Sequence, residues 1–245
     1  MGIQKTDMFK VALLGKKYHD KIYNLESFAE GETNPSKTYL ERLGGAHNFL
    51  DSSTPGITFT PMLRGSKLAT IFNDLRFSTR TSVTADLEKT IYTSTDINTV
   101  NSKYSWAHVC YIDDIQDFRP LLDITTPLSL DFCTNAPRHQ FMDIMSRSEV
   151  VFDSRERKHL YKDLHLRCPL VLHDEFGVEV IKSNIRIYKS DMVPVSDLEV
   201  NGAGDIFAKN FIKNFIEHDI LKSSTKAMEQ TTQHLLRRNT NEKTL

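Results

Sequence analysis

Cysteine is scarce in this chain of 245 residues, and its scarcity limits the chemistry that the protein can use. The three cysteines, Cys110, Cys133 and Cys168, lie far apart, and the first two fall within apolar runs. Neither a C-x-x-C metal pair nor a disulfide framework matches that spacing. The cysteines are therefore predicted to be reduced core residues of a cytoplasmic protein.

The chain also lacks a strong charge of either sign. Its formal net charge is -1 at pH 7, although it is locally basic at Arg237 and Arg238. A nearly neutral protein exerts no long-range attraction on polyanions. We therefore expect neither nucleic acid nor an anionic membrane surface as a partner.

Long hydrophobic runs and metal-binding histidine pairs are absent as well. No apolar run approaches the roughly 20 residues of a membrane span, and the opening sequence MGIQKTDMFK contains no apolar signal core. None of the nine histidines forms an H-x-x-x-H pair or lies at ligand spacing from a cysteine. These absences predict a soluble protein without a histidine-ligated metal, and 28.1 kDa is enough to bury one sizeable core.

The most distinctive stretch is Val200 to Phe207, with the sequence VNGAGDIF. Two glycines flank one alanine, and apolar residues follow at helical spacing, which predicts a turn that opens a helix. The first amides of a helix lack internal partners and attract anions. With Asp205 beside the amides of Gly202, Ala203 and Gly204, the stretch predicts phosphoryl transfer. An ordinary loop-to-helix junction with an acidic first turn explains the same residues.

Strand and helix patterns alternate along the rest of the chain. Phe9 to Leu14 is an apolar run typical of a strand buried on both faces. Further strands are predicted at Trp106 to Ile112, Leu128 to Cys133, Glu149 to Phe152 and Pro169 to His173, with helices at Pro137 to Arg147, from Asp153, and from a cap at Ser224. Strands separated by helices indicate right-handed crossovers and a mainly parallel α/β sheet.

The region between Leu50 and Ser94 has weaker patterns. Ile57 to Leu63 predicts a strand and Lys67 to Leu75 a short helix. Arg80 to Ser94 predicts two β-rich arms joined at a polar turn, and a simple surface hairpin also fits these residues.

Polar residues and glycines follow the first predicted strand, where ligands bind in open α/β sheets. Asp20 is placed to hold a substrate hydroxyl, and a solvated loop aspartate is the alternative. Gly44 and Gly45 allow a ligand or a neighbouring backbone to approach closely. Asn48 offers both donors and acceptors to a polyhydroxylated molecule.

Two motifs at opposite ends of the chain resemble the signatures of the ribokinase and phosphofructokinase-B-type (PfkB) carbohydrate kinases. The run VALLG, Asp20, the stretch NLESFAEGET and the stretch GGAHN are similar to the N-terminal signature. The stretch NGAGD, at 201–205, matches the second half of the C-terminal signature Asp-Thr-x-Gly-Ala-Gly-Asp. Both motifs in the family's order are more specific than either motif alone.

The resemblance implies one domain over residues 1–245 with a ribokinase-like three-layer α/β/α fold, a mainly parallel sheet and a small β-sheet lid from about 33–43 and 79–95. It also implies ATP and Mg²⁺ as cofactors, and a sugar, a sugar phosphate or a nucleoside as substrate. Because relatives often pair through the lid, a homodimer is a further expectation.

The same resemblance implies roles for individual residues. Asp205 is expected to be the base and the amides of Gly202, Ala203 and Gly204 the anion hole. The substrate is expected to contact Asp20, Gly44, Gly45, Asn48 and Asp113. For Asp113, which follows a predicted strand, an N-cap or an exposed loop pair is the alternative. ATP is expected to contact Asp153, Glu156, Gly177 and Asn201, with Glu156 also holding magnesium through water.

The ATP side departs from the family's pattern at several positions. Asp153 replaces the asparagine of an Asn-x-x-Glu motif, and Asp153 with Glu156 also reads as a capping box. Gly177 alone remains of a Gly-x-x-Gly loop, and Glu199-Val200 replaces the Asp-Thr pair, which weakens the case for a monovalent-cation site.

Two functions follow from these residues. One is an ATP-dependent kinase for a sugar, a sugar phosphate or a nucleoside. The other is a catalytically reduced relative of the same fold that binds a sugar or a nucleotide. A Rossmann-like nucleotide enzyme of another kind is disfavoured, because no G-x-G-x-x-G follows the first strand.

Overall fold

The computed structural model describes residues 8–51, 54–77, 79–192, 195 and 199–242. Ten strands among these residues form one sheet. They are β1 (Phe9–Leu25), β2 (Ser36–Gly45), β3 (Ile57–Asp74), β4 (Thr79–Asp86), β5 (Trp106–Val109), β6 (Leu128–Asp131), β7 (Val150–Ser154), β8 (Leu170–Asp174), β9 (Gly177–Lys182) and β10 (Ile185–Asp191). The order across the sheet is β10-β9-β8-β7-β6-β5-β1-β3-β4, and β2 pairs with β1.

The helical segments are partly α-helical and partly 3₁₀-helical. The α-helices are α1 (Ser94–Lys103), α2 (Met142–Met145), α3 (Ala203–Phe215) and α4 (Ile220–Glu242). Short 3₁₀ helices span Ala46–Leu50, Ile112–Asp114, Arg119–Asp123, Arg138–Phe141 and Arg155–Tyr161. No helix within the described part of the chain has both the length and the apolar character needed to cross a membrane.

The centre of the sheet is parallel, as the alternating pattern predicts. β3, β1, β5, β6, β7 and β8 are parallel in adjacent pairs, and β9 and β10 extend the sheet antiparallel. The side chains of β1 alternate between two cores. Ala12 and Leu14 pack in the core that contains residues of α1 and α2, whereas Val11 and Leu13 pack in the core that contains residues of α3 and α4. Helices therefore cover both faces, which confirms the expected α/β/α layers.

β1 and β3 continue beyond the main sheet into a second, smaller layer. Their pairing register shifts between Gly15 and Lys17, where Gly15 lies against Cys110 so closely that a Cβ would be 2.6 Å from the Cys110 carbonyl oxygen. Past this point the strand order is β2-β1-β3-β4. We call this four-stranded extension, formed by residues 17–25, 36–45, 66–74 and 79–86, the lid.

Three local expectations in this region are wrong. Asp20 lies within β1 rather than in a loop, Lys67 to Leu75 belongs to β3 rather than to a helix, and the second β-arm before Ser94 is absent because β4 ends and α1 begins there. Burial alternates along β3, with Ala69 and Ile71 buried between partly exposed neighbours. That period of two is the strand pattern, and pairing with β1 and β4 on both sides enforces it.

The C-terminal half also differs in detail. The predicted helix at Pro137 to Arg147 is divided into a 3₁₀ helix and the four-residue α2. Strand β9 was not expected, and Ser224 lies inside α4 instead of capping it. The cap is Asp219, whose Oδ1 accepts hydrogen bonds from the N–H groups of Leu221 at 3.0 Å and Lys222 at 2.9 Å.

Candidate active site

The turn before α3 presents backbone N–H groups without acceptors. Gly202 has φ 80, which is a left-handed conformation that glycine adopts without strain, and it caps α3. Among the described residues, no acceptor lies on the N–H of Gly202, Gly204 or Asp205, whereas the N–H of Ala203 donates to the Val200 carbonyl oxygen at 3.0 Å. Ala203 is therefore not an available anion donor in this arrangement, and the Asp205 amide is an additional one.

Asp205 is a buried carboxylate held by two donors from other elements. It is 2 % exposed. Asn48 Nδ2 donates to Oδ2 at 2.8 Å, and the Tyr111 hydroxyl donates to Oδ1 at 2.7 Å. Burial raises the pKa of Asp205 from 3.8 to about 6, against the lowering effect of these two hydrogen bonds and of the Arg80 charge. A carboxylate with this pKa can accept a proton near neutral pH.

A cavity of about 420 Å³ adjoins Asp205 and the turn. The carboxyl ends of β6, β7 and β8 contribute Asp131, Ser154 and Asp174 to its wall, and the lid contributes Thr79, Arg80 and Ser82. The remaining side is more apolar and includes Val200, Phe207, Met228 and Leu235. The position at strand carboxyl ends is where open α/β sheets bind ligands, and the volume suits a small molecule.

Acidic side chains outnumber basic ones in the cavity wall. Asp174 is paired with Arg155 at 3.0 Å. Burial and the Asp205 charge hold the pKa of Asp131 well above its usual range, so Asp131 resists ionisation while Asp205 is charged. Arg157 is committed to the buried Asp153 carboxylate. Among the described residues Arg80 has no carboxylate within ion-pair distance, and one of its nitrogens donates to Asn201 Oδ1 at 2.9 Å.

The residues expected to bind substrate lie together, but they contact one another. Asp20 Oδ2 accepts from Asn201 Nδ2 at 3.1 Å, and a Cβ on Gly44 would lie 1.9 Å from the same Asp20 oxygen. A Cβ on Gly45 would lie 3.1 Å from the Tyr18 ring and 3.5 Å from the Tyr111 ring. Asp20 Oδ1 is buried and has no hydrogen-bond partner among the described residues, so one acceptor in this group is left for a ligand.

Asp113 is separate from this group. Its side chain is fully buried. The carboxylate accepts from the N–H groups of Cys133 at 3.1 Å and Thr134 at 2.7 Å, and it lies 3.6 Å from Arg138. Asp113 therefore fixes the loop after β6, which corrects the exposed-pair interpretation, and its contact with a substrate stays a prediction.

Of the four residues expected to contact ATP, one lies on the cavity wall and three do not. Glu156 lies on the cavity wall. Asp153 is 1 % exposed and is absent from that wall, because Arg138, Arg157 and Tyr161 donate to its two oxygens. Ser154, not Asp153, caps the following 3₁₀ helix, which corrects the capping-box interpretation as well.

Gly177 and Asn201 also lie away from the cavity wall. Gly177 begins β9 with φ 138, and a Cβ there would lie 1.9 Å from the Ser190 carbonyl oxygen, so it is required by strand pairing. Asn201 bridges Asp20 and Arg80 through its side chain. It therefore connects the lid to the turn instead of facing the cavity.

Glu199 is the centre of a buried network that the sequence did not reveal. The carboxylate is within 3.3 Å of Arg42 on the lid and within 2.7 Å of Arg238 on α4. Asn73 and the N–H of Asn201 donate to its other oxygen at 3.2 and 2.7 Å. Glu199 thus joins the lid, the turn and the C-terminal helix.

Sequence reasoning also missed Tyr111. Tyr111 lies on the cavity wall and its hydroxyl donates to Asp205, but the residue follows an ordinary apolar strand pattern. Its left-handed backbone, with φ 64, has no sequence signal. Arg80 was also missed as a site residue. It lies within the predicted lid, and its positive charge was the feature of the sequence that could have indicated a ligand contact.

Solved structures with the same fold include sugar kinases, nucleoside kinases and members of the ribokinase family. A probable sugar kinase from Rhizobium etli is 15 % identical with a TM-score of 0.66, covering 92 % of each chain. A nucleoside kinase from Burkholderia thailandensis, solved with inosine, is 12 % identical with a TM-score of 0.64, covering 90 % of this chain and 89 % of that chain. Ribokinase from Thermotoga maritima is 14 % identical with a TM-score of 0.58, covering 91 % and 90 %.

These similarities confirm the ribokinase-like fold that the two motifs predicted. No protein-family sequence model matches the chain, and no curated protein sequence matches it. At identities this low the likeness establishes the fold, and the chemistry depends on the residues of the site.

Proposed function

We propose that the protein is an ATP-dependent kinase that phosphorylates a hydroxyl of a sugar, a sugar phosphate or a nucleoside. The observation that carries the proposal is the position of Asp205, a buried carboxylate whose pKa is raised to about 6, at the wall of the cavity. Beside it lie N–H groups for which the described residues provide no acceptor. A proton acceptor next to anion donors is what transfer of a phosphoryl group to an alcohol requires. The solved structures with this fold, which include sugar, nucleoside and ribose kinases, support it.

The residues of the cavity fit ATP. The apolar side around Val200, Met228 and Leu235 suits a purine. The amides of Gly204 and Asp205 and the guanidinium of Arg80 would meet the phosphates, since each is a donor without a carboxylate partner. The proposed role of Asp205 is to accept the proton of the attacking hydroxyl.

Glu156 fits an indirect magnesium site. It lies on the cavity wall, and the described residues contain no cluster of three or more ligands that could hold a metal ion by themselves. Mg²⁺ in nucleotide sites is commonly held by phosphates, water and one or two carboxylates, and it would neutralise charge on the phosphate oxygens.

The substrate side is supported by the unpaired acceptor on Asp20. A buried carboxylate oxygen without a donor is costly, and a ligand hydroxyl would supply the donor. Asp20, Asn48 and Asp205 are linked through Asn201 and Gly202, since Gly202 packs against Asn48. We therefore place the alcohol between Asp20 and Asp205, under the lid.

An ATP-dependent phosphorylation screen over sugars, sugar phosphates and nucleosides tests the proposal. Product is expected with at least one of these classes. The Asp205→Ala variant is expected to fold and to lose turnover by orders of magnitude, since the proton acceptor is removed. Undiminished phosphorylation by that variant would show that Asp205 is not the base.

A second function, binding without phosphorylation, is favoured by one observation. The polar residues of the substrate side bond to each other and lie outside the cavity wall, and Asp153 is fully engaged by cations. A thermal-shift comparison separates the two functions. Stabilisation by Mg-ATP with product formation supports the kinase, and stabilisation by sugar alone supports the binding protein.

We also propose that the lid, within one domain, mediates a homodimer. Its strands carry large side chains on the surface, including Tyr39 at 49 % and Val83 at 64 % exposure. Light scattering should give twice the chain mass, and a monomeric mass at micromolar concentration would exclude this assembly.

A further inference from the structure

Tyr111 makes the contact with Asp205 that an acceptor alcohol would make. Its hydroxyl donates to Asp205 Oδ1 at 2.7 Å. A substrate hydroxyl that is about to lose its proton must also donate to the base within roughly 2.6–3.2 Å. Asn48 donates to the other carboxylate oxygen, so the phenol is the side-chain donor that the described residues place on the oxygen that Asn48 does not contact.

The backbone of Tyr111 is bent to place the phenol there. Its φ of 64 and ψ of 69 are left-handed, a conformation that is rare for a bulky side chain. The other described non-glycine residues with positive φ, Ser183 and Asn184, lie in the turn between β9 and β10. Tyr111 instead lies two residues beyond the end of β5, and strain of this kind is commonly found at functional sites.

Side chains of the lid pack against the ring of Tyr111. Tyr18 meets it edge to face, with centroids 5.4 Å apart and planes at 78°. On the lid side the ring packs against the cluster that contains Ile22 and Ile71, and a Cβ added to Gly45 would lie 3.5 Å from the ring. The ring also lies on the cavity wall, so an open volume is available beside it.

We propose that Tyr111 occupies the acceptor-hydroxyl position at Asp205 and so determines which alcohols reach the base. This inference rests on the proposed kinase function, because only a kinase has an acceptor hydroxyl at Asp205. An alcohol enters when it displaces the phenol from Asp205. Water is excluded from the base as long as the phenol stays, which limits unproductive hydrolysis of ATP.

Three variants separate the volume of the ring from its hydroxyl. Tyr111→Gly removes both and suits the left-handed backbone. Tyr111→Phe removes only the hydroxyl. Tyr18→Phe is the matched control, because the Tyr18 hydroxyl makes a comparable hydrogen bond, 2.6 Å to Asp114, without contacting Asp205. The thermal midpoint of each variant confirms that it is folded.

Calorimetric titration with D-ribose, in the absence of ATP, is the deciding measurement. Tyr111→Gly is expected to bind ribose about tenfold more tightly than the wild type, since the competing hydrogen bond of the phenol is gone. Tyr111→Phe is expected to gain less, because its ring still fills the volume. Tyr18→Phe is expected to match the wild type. Equal ribose affinity in the wild type and Tyr111→Gly overturns the proposal.

Hydrolysis of Mg-ATP without an acceptor is the second readout. The rate is expected to rise about tenfold in Tyr111→Gly and to stay near the wild-type rate in Tyr111→Phe. A rise in Tyr111→Phe alone would overturn the volume argument. If the wild type binds no Mg-ATP, the kinase proposal fails. The ribose titration, which contains no ATP, still shows whether Tyr111 competes with an alcohol at Asp205.

Discussion

Replacing Asp205 by asparagine is expected to stabilise the fold while it removes the proposed proton acceptor. Burial raises the pKa of Asp205 from 3.8 to about 6, and each pKa unit corresponds to about 1.4 kcal/mol. The ionised carboxylate therefore costs the folded state about 3 kcal/mol once the pH exceeds the folded pKa. Asparagine avoids this cost. Its carbonyl can accept from Asn48, and its amide can donate to the Tyr111 oxygen.

The expected gain depends on pH with a definite sign. Between about pH 4 and about pH 6 the folded wild type binds more protons than the unfolded chain, so its stability falls as the pH rises through that window. Asp205→Asn has no such loss. The free energies of unfolding should therefore be similar below about pH 4 and differ by about 3 kcal/mol above about pH 6.

Urea denaturation at several pH values measures this difference, with equal m-values as the check on two-state unfolding. Asp219→Asn is a control of opposite sign, because the Lys222 N–H lowers the pKa of Asp219 and the ionised form stabilises α4. A variant Asp205→Asn that is less stable than the wild type at about pH 8, or a gain that does not change with pH, would refute the burial argument.

Three further substitutions test other contacts of the site. Arg80→Gln removes a charge that lowers the pKa of Asp205, so the pKa from a carboxyl NMR titration should rise, and an unchanged value contradicts the coupling. Gly202→Ala and Gly31→Ala share a φ of +80 and a strain of roughly 1–2 kcal/mol. A Cβ at Gly202 also lies 2.5 Å from an asparagine amide, whereas Gly31 has open space, so urea denaturation should show the larger loss for Gly202→Ala, and equal losses contradict this. Glu199→Gln weakens the contacts of a buried carboxylate with two partly buried arginines and should cost about 3 kcal/mol in the same assay. A loss near zero would contradict this.

Local patterns were enough to predict the main sheet and the turn before α3. Buried strands such as Val11 to Leu14 read as continuous apolar runs, and a glycine turn followed by helical spacing marks the start of a helix. These features depend on residues that are close together in the chain. The lid was harder, since its strands are half exposed and the buried face of β3 includes the polar residues Lys67 and Asn73 beside Ala69 and Ile71.

The positions of Asp153 and Asp113 show why motif position alone could not define the site. Both follow predicted strands, where a functional carboxylate is expected. Each instead forms a buried ion pair with Arg138, which lies between them in the chain. Whether such a carboxylate faces a cavity or a buried cation depends on the segment that carries Arg138, which is distant from both carboxylates in the chain.

The sequence by itself determined the fold class and the presence of an acidic residue at the start of α3, because both follow from periodicity and from the chemistry of a helix N-terminus. Only the tertiary structure decided what surrounds Asp205. Asn48 and Tyr111 are 157 and 94 residues away from it in the chain. The burial and the two hydrogen bonds that set the pKa of Asp205 come from these distant segments. Such contacts exist only after the sheet, the lid and α3 have packed together.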